Sequence, residues 1–301
     1  MRTLQATLHP VDHKALRFRS AAVGDYDTLI TESVRIQEGD DLRIVFQVMD
    51  EAPEDLIKAF RTINYNKSSR TAGLTTQARV LGSLPRITIR RDYCTMSGMA
   101  SEHPAAHATF LNYARKASSI YKEFAPTEQA AQQELVESKV KPGWRISDSV
   151  FTSGIVNWDN PLNYHTDTGN FPGTWNAMYA LARDMSGGQL VVPEFRIAFS
   201  FAKPAFIIFE AAKFLHGVTP LRKLSSLSYR YSVVFYALQQ LCNCLSPAEE
   251  LDRIQKVKTV RELKRAGIIE RDPKEAAALA ARVLRGQKAR AERGKLTKKR
   301  S

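Results

Sequence analysis

Short apolar runs dominate residues 151–238 and are separated by turn residues. Among these turn residues are Gly187-Gly188, Pro204 and Gly217. Runs of this length, recurring at short spacing, favour a β-sandwich or a small barrel. The predicted strands cover residues 151–157, 175–182, 189–192, 195–201, 205–209 and 229–238.

Helical periodicity is found on both sides of this β-rich segment. After Pro53, the residues Leu56, Ile57, Phe60 and Ile63 recur at the spacing of one helix face. Proline is favoured at the first position of a helix, and three further prolines predict helix starts in this way. They are Pro104, Pro126 and Pro247, the last within Ser246-Pro247-Ala248-Glu249, which has the Ser-x-x-Glu form of a capping box.

Residues 3–9 and 42–49 are predicted as two more strands. Residues 68–73, rich in Ser, Thr and Gly, are predicted as a loop. The chain is therefore predicted to be α+β, with a β-rich core and helices packed outside the sheet.

Charge changes this picture at the C-terminal end. The 301 residues carry a net charge of +13, and residues 253–301 hold 17 Lys/Arg against 5 Asp/Glu, or +12. A basic helical tail of this kind typically binds a polyanion, most often nucleic acid. The alternative is a solvated tail that only aids solubility.

Composition also bears on the compartment. The longest apolar run is about five residues, at 205–209, so no membrane span is expected. The N-terminus lacks the apolar segment of a secretory signal. Cys94, Cys242 and Cys244 are too few and too scattered for a disulfide framework, so reduced thiols are expected. These features predict an intracellular protein, located in the cytoplasm or nucleoid of a prokaryote or phage, or in a eukaryotic nucleus. No protein partner is implied.

The candidate chemistry begins at His165-Thr166-Asp167. Side chains at i and i+2 of an extended segment point the same way, so His165 and Asp167 are expected to close on one metal. His216 would complete two histidines and one carboxylate, the ligand set of non-haem Fe(II) oxygenases. The alternative is that His216 is a hydrogen-bonded core histidine.

An arginine could hold the carboxylate of an oxo-acid cosubstrate beside this metal. Arg230 and Ser232 lie on one face of the last predicted strand. Arg222 is the rival, nearer to His216 but in a predicted loop. Arg230 is preferred because a rigid strand holds a bidentate contact better than a loop does.

Three segments resemble the TET/JBP family of nucleobase dioxygenases, in order and at similar spacing. They are 163–171 (NYHTDTGNF), 187–194 (GGQLVVPE) and 216–220 (HGVTP). Residues 151–157 (FTSGIVN) resemble the compact phage and fungal forms. The resemblance covers about residues 65–244 and leaves out the first 50 residues and the basic tail. The domain prediction is an N-terminal segment (1–64) packing on the core, a dioxygenase domain (65–245) and a basic helical extension (246–301).

The resemblance implies a double-stranded β-helix, or jelly-roll, that uses Fe(II), 2-oxoglutarate and O2. Carried over to this chain, His165, Asp167 and His216 would bind iron, and Arg230, supported by Ser232, would bind 2-oxoglutarate. The implied substrate is the 5-methyl group of 5-methylcytosine or thymine in DNA, with 5-methylcytosine slightly favoured. The base would be flipped out of the duplex, while the basic arm contacts phosphates. The candidate base-contacting residues are Arg70, Arg90, Arg91, Asn157 and Trp175.

Two other functions stay open. A 2-oxoglutarate-dependent hydroxylase of a protein or small molecule would share the iron site but would not need the basic tail. A catalytically inactive DNA-binding relative would bind DNA without consuming 2-oxoglutarate, although the complete ligand set argues against it.

Overall fold

The computed structural model of the protein describes residues 1–71, 74–87, 91–265, 267, 281 and 284; for residues 67–71 and 74–76 it describes the backbone alone. The prolines at 104, 126 and 247 each begin a helix, as predicted. The helices are α1 (His13–Leu16), α2 (Glu54–Thr62), α3 (Met99–Glu102), α4 (Pro104–Phe124), α5 (Pro126–Lys139) and α6 (Pro247–Arg265).

Strands account for most of the remaining regular structure. They are β1 (Arg2–Gln5), β2 (Thr28–Ile30), β3 (Val34–Glu38), β4 (Asp41–Val48), β5 (Asn66–Thr71), β6 (Leu74–Leu84), β7 (Thr95–Met96), β8 (Ser153–Trp158), β9 (Asn176–Arg183), β10 (Met185–Gly187), β11 (Leu190–Val192), β12 (Ile197–Phe199), β13 (Ala205–Phe209), β14 (Gly217–Val218), β15 (Leu221–Lys223) and β16 (Tyr229–Tyr236).

The strands form a large sheet, a smaller sheet and a two-stranded ribbon. The large sheet has the order β1-β3-β4-β13-β9-β16-β8-β6-β5, with β7 beside β6. The smaller sheet has the order β14-β11-β12-β2, and β10 pairs with β15 in the ribbon. The pairs within the central part of the large sheet, from β3 to β5, are antiparallel.

Strand β13 shows how the layers pack. Successive side chains of a strand point to opposite faces. Phe206 and Ile208 therefore join a buried cluster with residues of α2 and α4, here called the helix-side cluster. Ala205, Ile207 and Phe209 join a second cluster that contains residues of the smaller sheet. The large sheet is thus covered by helices on one face and by the smaller sheet on the other.

The same alternation on β16 builds the functional face. Tyr231, Val233 and Phe235 belong to the helix-side cluster. Arg230 and Ser232 lie on the opposite face and line a cavity. One strand therefore supplies both core and site.

The N-terminal residues are more deeply integrated than predicted. Strands β3 and β4 belong to the large sheet and β2 to the smaller one, so residues 1–64 complete both sheets rather than only packing on them. The loop predicted at 68–73 is also wrong in part, because β5 and β6 form a hairpin there and β6 continues the sheet beside β8. Backbone pairing of β5 with β6, whose residues 77–82 pair in turn with β8, outweighs the polar, turn-favouring side chains of that segment.

The chain divides into two compact units. The first comprises Met1–Leu84 and Met96–Cys242, and the second comprises Pro85–Thr95 and Asn243–Ser301. The basic tail beyond α6 lies outside the described residues, apart from residues 267, 281 and 284. Within the part of the chain that the structure describes, no helix is long and apolar enough to cross a membrane.

The second unit corrects the prediction of reduced thiols. Cys94 and Cys244 form a disulfide, while Cys242 is free and exposed. The two bonded cysteines are 150 residues apart, and the sequence gives no local signal for such a pairing. Glu250, buried beside them, accepts hydrogen bonds from the Cys94 amide at 3.0 Å and from the Arg86 guanidinium at 2.5 Å.

Candidate metal centre

The two histidines of the predicted ligand set face each other across an isolated antiparallel bridge. The His165 amide donates to the His216 carbonyl and the His216 amide donates to the His165 carbonyl, both at 3.0 Å. Asp167 is held nearby because its amide donates to the Ala211 carbonyl at 2.9 Å. One ligand atom each of His165, Asp167 and His216 lies within 4.8 Å of the others. The sequence prediction of a three-residue metal face is therefore matched in geometry.

Hydrogen bonds fix which imidazole nitrogen each histidine offers. Nδ1 of His165 lies 2.7 Å from the Asn163 carbonyl oxygen, and Nδ1 of His216 lies 3.0 Å from that of Phe214. Since a carbonyl only accepts, Nδ1 carries the proton in each ring and Nε2 presents its lone pair. Both rings are thus oriented as metal ligands by main-chain atoms.

The carboxylate of Asp167 is oriented by an amide chain. The Asn176 side-chain amide donates to Asp167 Oδ2 at 2.6 Å, and Asn170 donates to the Asn176 side-chain oxygen at 2.9 Å. Asp167 Oδ1 remains on the histidine side, 3.6 Å from His165 Nε2. Hydrogen-bond donors that bind a ligating carboxylate in this way keep its other oxygen oriented toward the metal.

Burial keeps His216 in its ligand form. Burial foremost, and then the neighbouring His165, lowers the pKa of His216 to about 4, while Asp167 opposes the shift. An imidazole with so low a pKa is neutral at physiological pH, as a metal ligand must be. The donor set of two imidazoles and one carboxylate fits Fe(II).

A cavity of about 580 Å³ opens beside these ligands. This volume lies within the range of roughly 300–1,000 Å³ that is typical of small-ligand sites. Six of the predicted site residues line the cavity: His165, Asp167, His216, Arg230, Ser232 and Asn157.

Arg230 is the buried cation of this cavity. Burial lowers the pKa of its guanidinium to about 10, and Asp159 partly opposes this shift. Its Nε has no hydrogen-bond partner among the described residues. A buried guanidinium with an unsatisfied donor favours a carboxylate ligand. Arg230 therefore fits the distal carboxylate of a keto acid.

Gly188 makes room for this arginine. A Cβ on Gly188 would lie 3.1 Å from Arg230 Cδ and 2.6 Å from Leu221 Cδ2, and the backbone there has a φ of +77°. The positive φ favours glycine, and a side chain here would also have to displace the Leu221 side chain. The rival Arg222 is exposed on the ribbon strand β15, opposite Ser186.

The structure places only one of the predicted base-contacting residues at the cavity. Asn157 lines the cavity, where its amide donates to Ser232 Oγ at 3.4 Å. Trp175 does not fit its prediction, because it is buried in the helix-side cluster with its ring stacked on Tyr121 at 5.4 Å. Arg91 belongs to the second unit and donates to the Pro85 carbonyl. The side chain of Arg70 and all of Arg90 lie outside the described residues.

Sequence reasoning missed other residues of the cavity, among them Asn176, Arg17 and Phe18. Asn176 could have been predicted from the alternation of side chains along its strand. Ala177 and Tyr179 face the helices, so residue 176 lies on the opposite face, toward the cavity. Arg17 and Phe18 also line the cavity, but the sequence around them carries no motif that predicts this.

Comparison with known proteins agrees with this geometry. Residues 89–239, half of the chain, match the model of the Tet_JBP family, the oxygenase domain of the 2OGFeDO superfamily. The fold is similar to that of NgTET1 in complex with 5mC DNA, with a TM-score of 0.53 and 10% identity, covering 75% of this chain and 86% of that chain. An oxidoreductase of the 2OG-Fe(II) oxygenase family from Burkholderia pseudomallei has a TM-score of 0.43 and 15% identity, with 65% of this chain and 85% of that chain covered. No curated protein matches the sequence.

Proposed function

Because this chain belongs to the Tet/JBP family of 2-oxoglutarate- and Fe(II)-dependent dioxygenases, we propose that it hydroxylates the 5-methyl group of a pyrimidine in DNA. One observation carries the proposal: the three ligand residues and the buried, partly unsatisfied Arg230 line the same cavity. The DNA-bound state of the similar NgTET1 supports DNA as the substrate, with 5-methylcytosine favoured over thymine.

Each residue of the site has its own role in the proposed reaction. His165, Asp167 and His216 would hold Fe(II), which together with 2-oxoglutarate and O2 supplies an oxidant strong enough for a methyl C–H bond. Arg230 binds the distal carboxylate of 2-oxoglutarate, and Ser232 supports it from the same strand face. Asn176 keeps the Asp167 carboxylate aimed at the metal.

The depth of the site sets how DNA must bind. His216 is buried, so a methyl group within a stacked duplex cannot reach the ligands. The target base is therefore flipped out of the duplex and enters the cavity. The basic C-terminal arm, with 17 Lys/Arg in residues 253–301, contacts phosphates and supplies salt-dependent affinity.

The test is to incubate the protein with Fe(II), 2-oxoglutarate and duplex DNA that contains both thymine and 5-methylcytosine, and then to measure nucleosides by mass spectrometry. We expect hydroxymethyl product from one of the two bases. His165→Ala should abolish the product, whereas His9→Ala, an exposed histidine away from the cavity, should not. No hydroxymethyl product from the wild type, or equal product from His165→Ala, contradicts the proposal.

The alternative hydroxylase of a protein or small molecule makes a different prediction for the arm. Truncation of residues 266–301 leaves α6 intact and removes most of the excess charge. If DNA is the substrate, KM for DNA should rise strongly at physiological salt, while KM for 2-oxoglutarate should not change. Unchanged DNA turnover would contradict the proposed role of the arm in binding DNA. DNA binding without succinate formation would favour the inactive relative.

A further inference from the structure

Arg17 and Phe18 line the metal cavity, outside the segment that matches the family model, and residues 17–20 are here called the rim segment. They run alongside the first ligand segment. The Phe18 amide donates to the Tyr164 carbonyl, and the Tyr164 amide donates to the Arg19 carbonyl, both at 2.9 Å. Tyr164 directly precedes the ligand His165, so this rim segment is tied to the metal centre by the main chain.

Side chains reinforce the same attachment. Asn163 donates to the Phe18 carbonyl at 2.6 Å and accepts a hydrogen bond from the Ser20 hydroxyl at 2.9 Å. The Tyr164 hydroxyl donates to Asp25 at 3.0 Å, and Asp25 also pairs with Arg19. The rim segment is therefore held on both sides of Phe18.

Phe18 itself is in an unfavourable position for its residue type. Its backbone has a φ of +70°, in the left-handed region, which is uncommon for a bulky side chain. The residue is 43% exposed, so core packing does not account for this conformation. Strained residues persist where the surrounding structure enforces them, and they cluster at functional sites. The enforced conformation places an aromatic ring at the cavity.

Arg17 adds a cation next to this ring. Its guanidinium carbon lies 4.8 Å from the centroid of the Phe18 ring. Arg17 is exposed, and no carboxylate in the described part of the chain forms an ion pair with it. The rim therefore presents an aromatic face and a positive charge side by side, beside the entrance to the metal ligands.

We propose that Phe18 stacks on a DNA base at the cavity rim when the target base is extruded, and that Arg17 binds an adjacent phosphate. Aromatic faces stack on any base, and arginine on the phosphate backbone adds affinity without sequence preference. A stacked Phe18 compensates for stacking that the duplex loses when the target base leaves it. This inference rests on the proposed function and assigns substrate binding to two residues outside the family match.

The test uses the full-length protein and duplex DNA with one target base flanked by 2-aminopurine, whose fluorescence rises when stacking is lost. Phe18→Gly removes the ring and relieves the positive φ. We expect its Kd for DNA to rise roughly 5- to 100-fold, the effect of losing one base stack. At saturating protein, the fluorescence of the bound DNA should be higher than with the wild type, because the flanking base no longer stacks on Phe18. Its Tm should stay the same or increase, because glycine tolerates this backbone conformation. Phe18→Tyr should restore binding.

Arg17→Ala is the second variant. It should weaken binding to all DNA sequences and reduce the slope of log Kd against log salt by about one. The matched controls are Leu227→Ala, an exposed apolar residue, and Arg2→Ala, an exposed arginine, neither of which lines the cavity. Both controls should bind DNA as the wild type does.

The outcomes separate this inference from the proposed function. If the wild type oxidises no base in DNA, the proposed function fails and this inference fails with it. If the wild type oxidises DNA while Phe18→Gly and Arg17→Ala bind it as the wild type does, only this inference is overturned. A large drop in Tm for Phe18→Gly would show that the ring serves the fold, which also overturns it.

Discussion

Replacing Arg230 by methionine should stabilise the metal-free protein and at the same time abolish cosubstrate binding. Burial lowers the pKa of the guanidinium from its usual value to about 10. At about 1.4 kcal/mol per pKa unit, this corresponds to roughly 3 kcal/mol by which burial disfavours the charged form. Methionine has a similar length and carries no charge, so the free energy of unfolding should rise by up to that amount.

The expected loss of 2-oxoglutarate affinity in Arg230→Met is of similar size to this gain in the free energy of unfolding. Loss of one partner of a buried, hydrogen-bonded charge pair weakens binding by about 2–5 kcal/mol, or roughly 30- to 4,000-fold. The affinity should be measured by titrating 2-oxoglutarate into the Fe(II)-loaded protein under nitrogen. The stability should be measured as the Tm of the metal-free protein, where each kcal/mol shifts Tm by about 2–4 °C.

Two variants control this experiment. Arg230→Lys keeps a charge but loses the bidentate contact, so binding should weaken without a gain in Tm. Arg222→Met removes the exposed rival arginine and should change neither quantity. If Arg230→Met binds 2-oxoglutarate as the wild type does, or if its metal-free Tm falls, the assignment of Arg230 is refuted.

Three further predictions concern the surroundings of the site. Asn176→Ala removes the donor to Asp167 and should weaken Fe(II) affinity about 10- to 100-fold in a metal titration, and an unchanged affinity would contradict the role of Asn176. Gly188→Ala places a Cβ 2.6 Å from Leu221 in a positive-φ backbone and should lower stability by about 1–3 kcal/mol, measured by urea unfolding; a neutral effect would refute this close packing. Burial raises the pKa of Glu194, so its contribution to stability is present below its unfolded pKa and is lost as pH rises through the folded value. Glu194→Gln should therefore gain Tm relative to the wild type as pH increases from 4 to 8, and a constant difference across this range would contradict the shift.

How much of the site can be predicted from the sequence depends on the alternation of side chains between the two faces of a strand. Arg230 and Ser232 share a face because they are two residues apart, and the structure places both on the cavity. The same rule explains the error at Trp175. Trp175 lies an even number of residues from Ala177 and Tyr179, so it points to the same face as these two residues, which are buried against the helices. Applying this alternation to residues 175–181 would have excluded Trp175 from the cavity and identified Asn176 as a cavity residue.

Features that depend on distant contacts could not be predicted in this way. Residues 66–71 are polar and turn-like in sequence, and they form a strand by pairing with β6, which is itself anchored in the sheet beside β8. The Cys94–Cys244 disulfide joins residues 150 positions apart. Phe18 reaches the cavity through hydrogen bonds to residues 163 and 164, which no local pattern encodes.

The double role of β16 limits how this chain can evolve. Insertion or deletion of one residue within the strand would turn Arg230 toward the helix-side cluster and Val233 toward the cavity, because each side chain would change face. Core packing and cosubstrate binding would then be lost in one step. Descendants of this chain are expected to vary the identity of residues in β16 while keeping its length. Changes in length are expected instead in the exposed turn at 224–227 that precedes it.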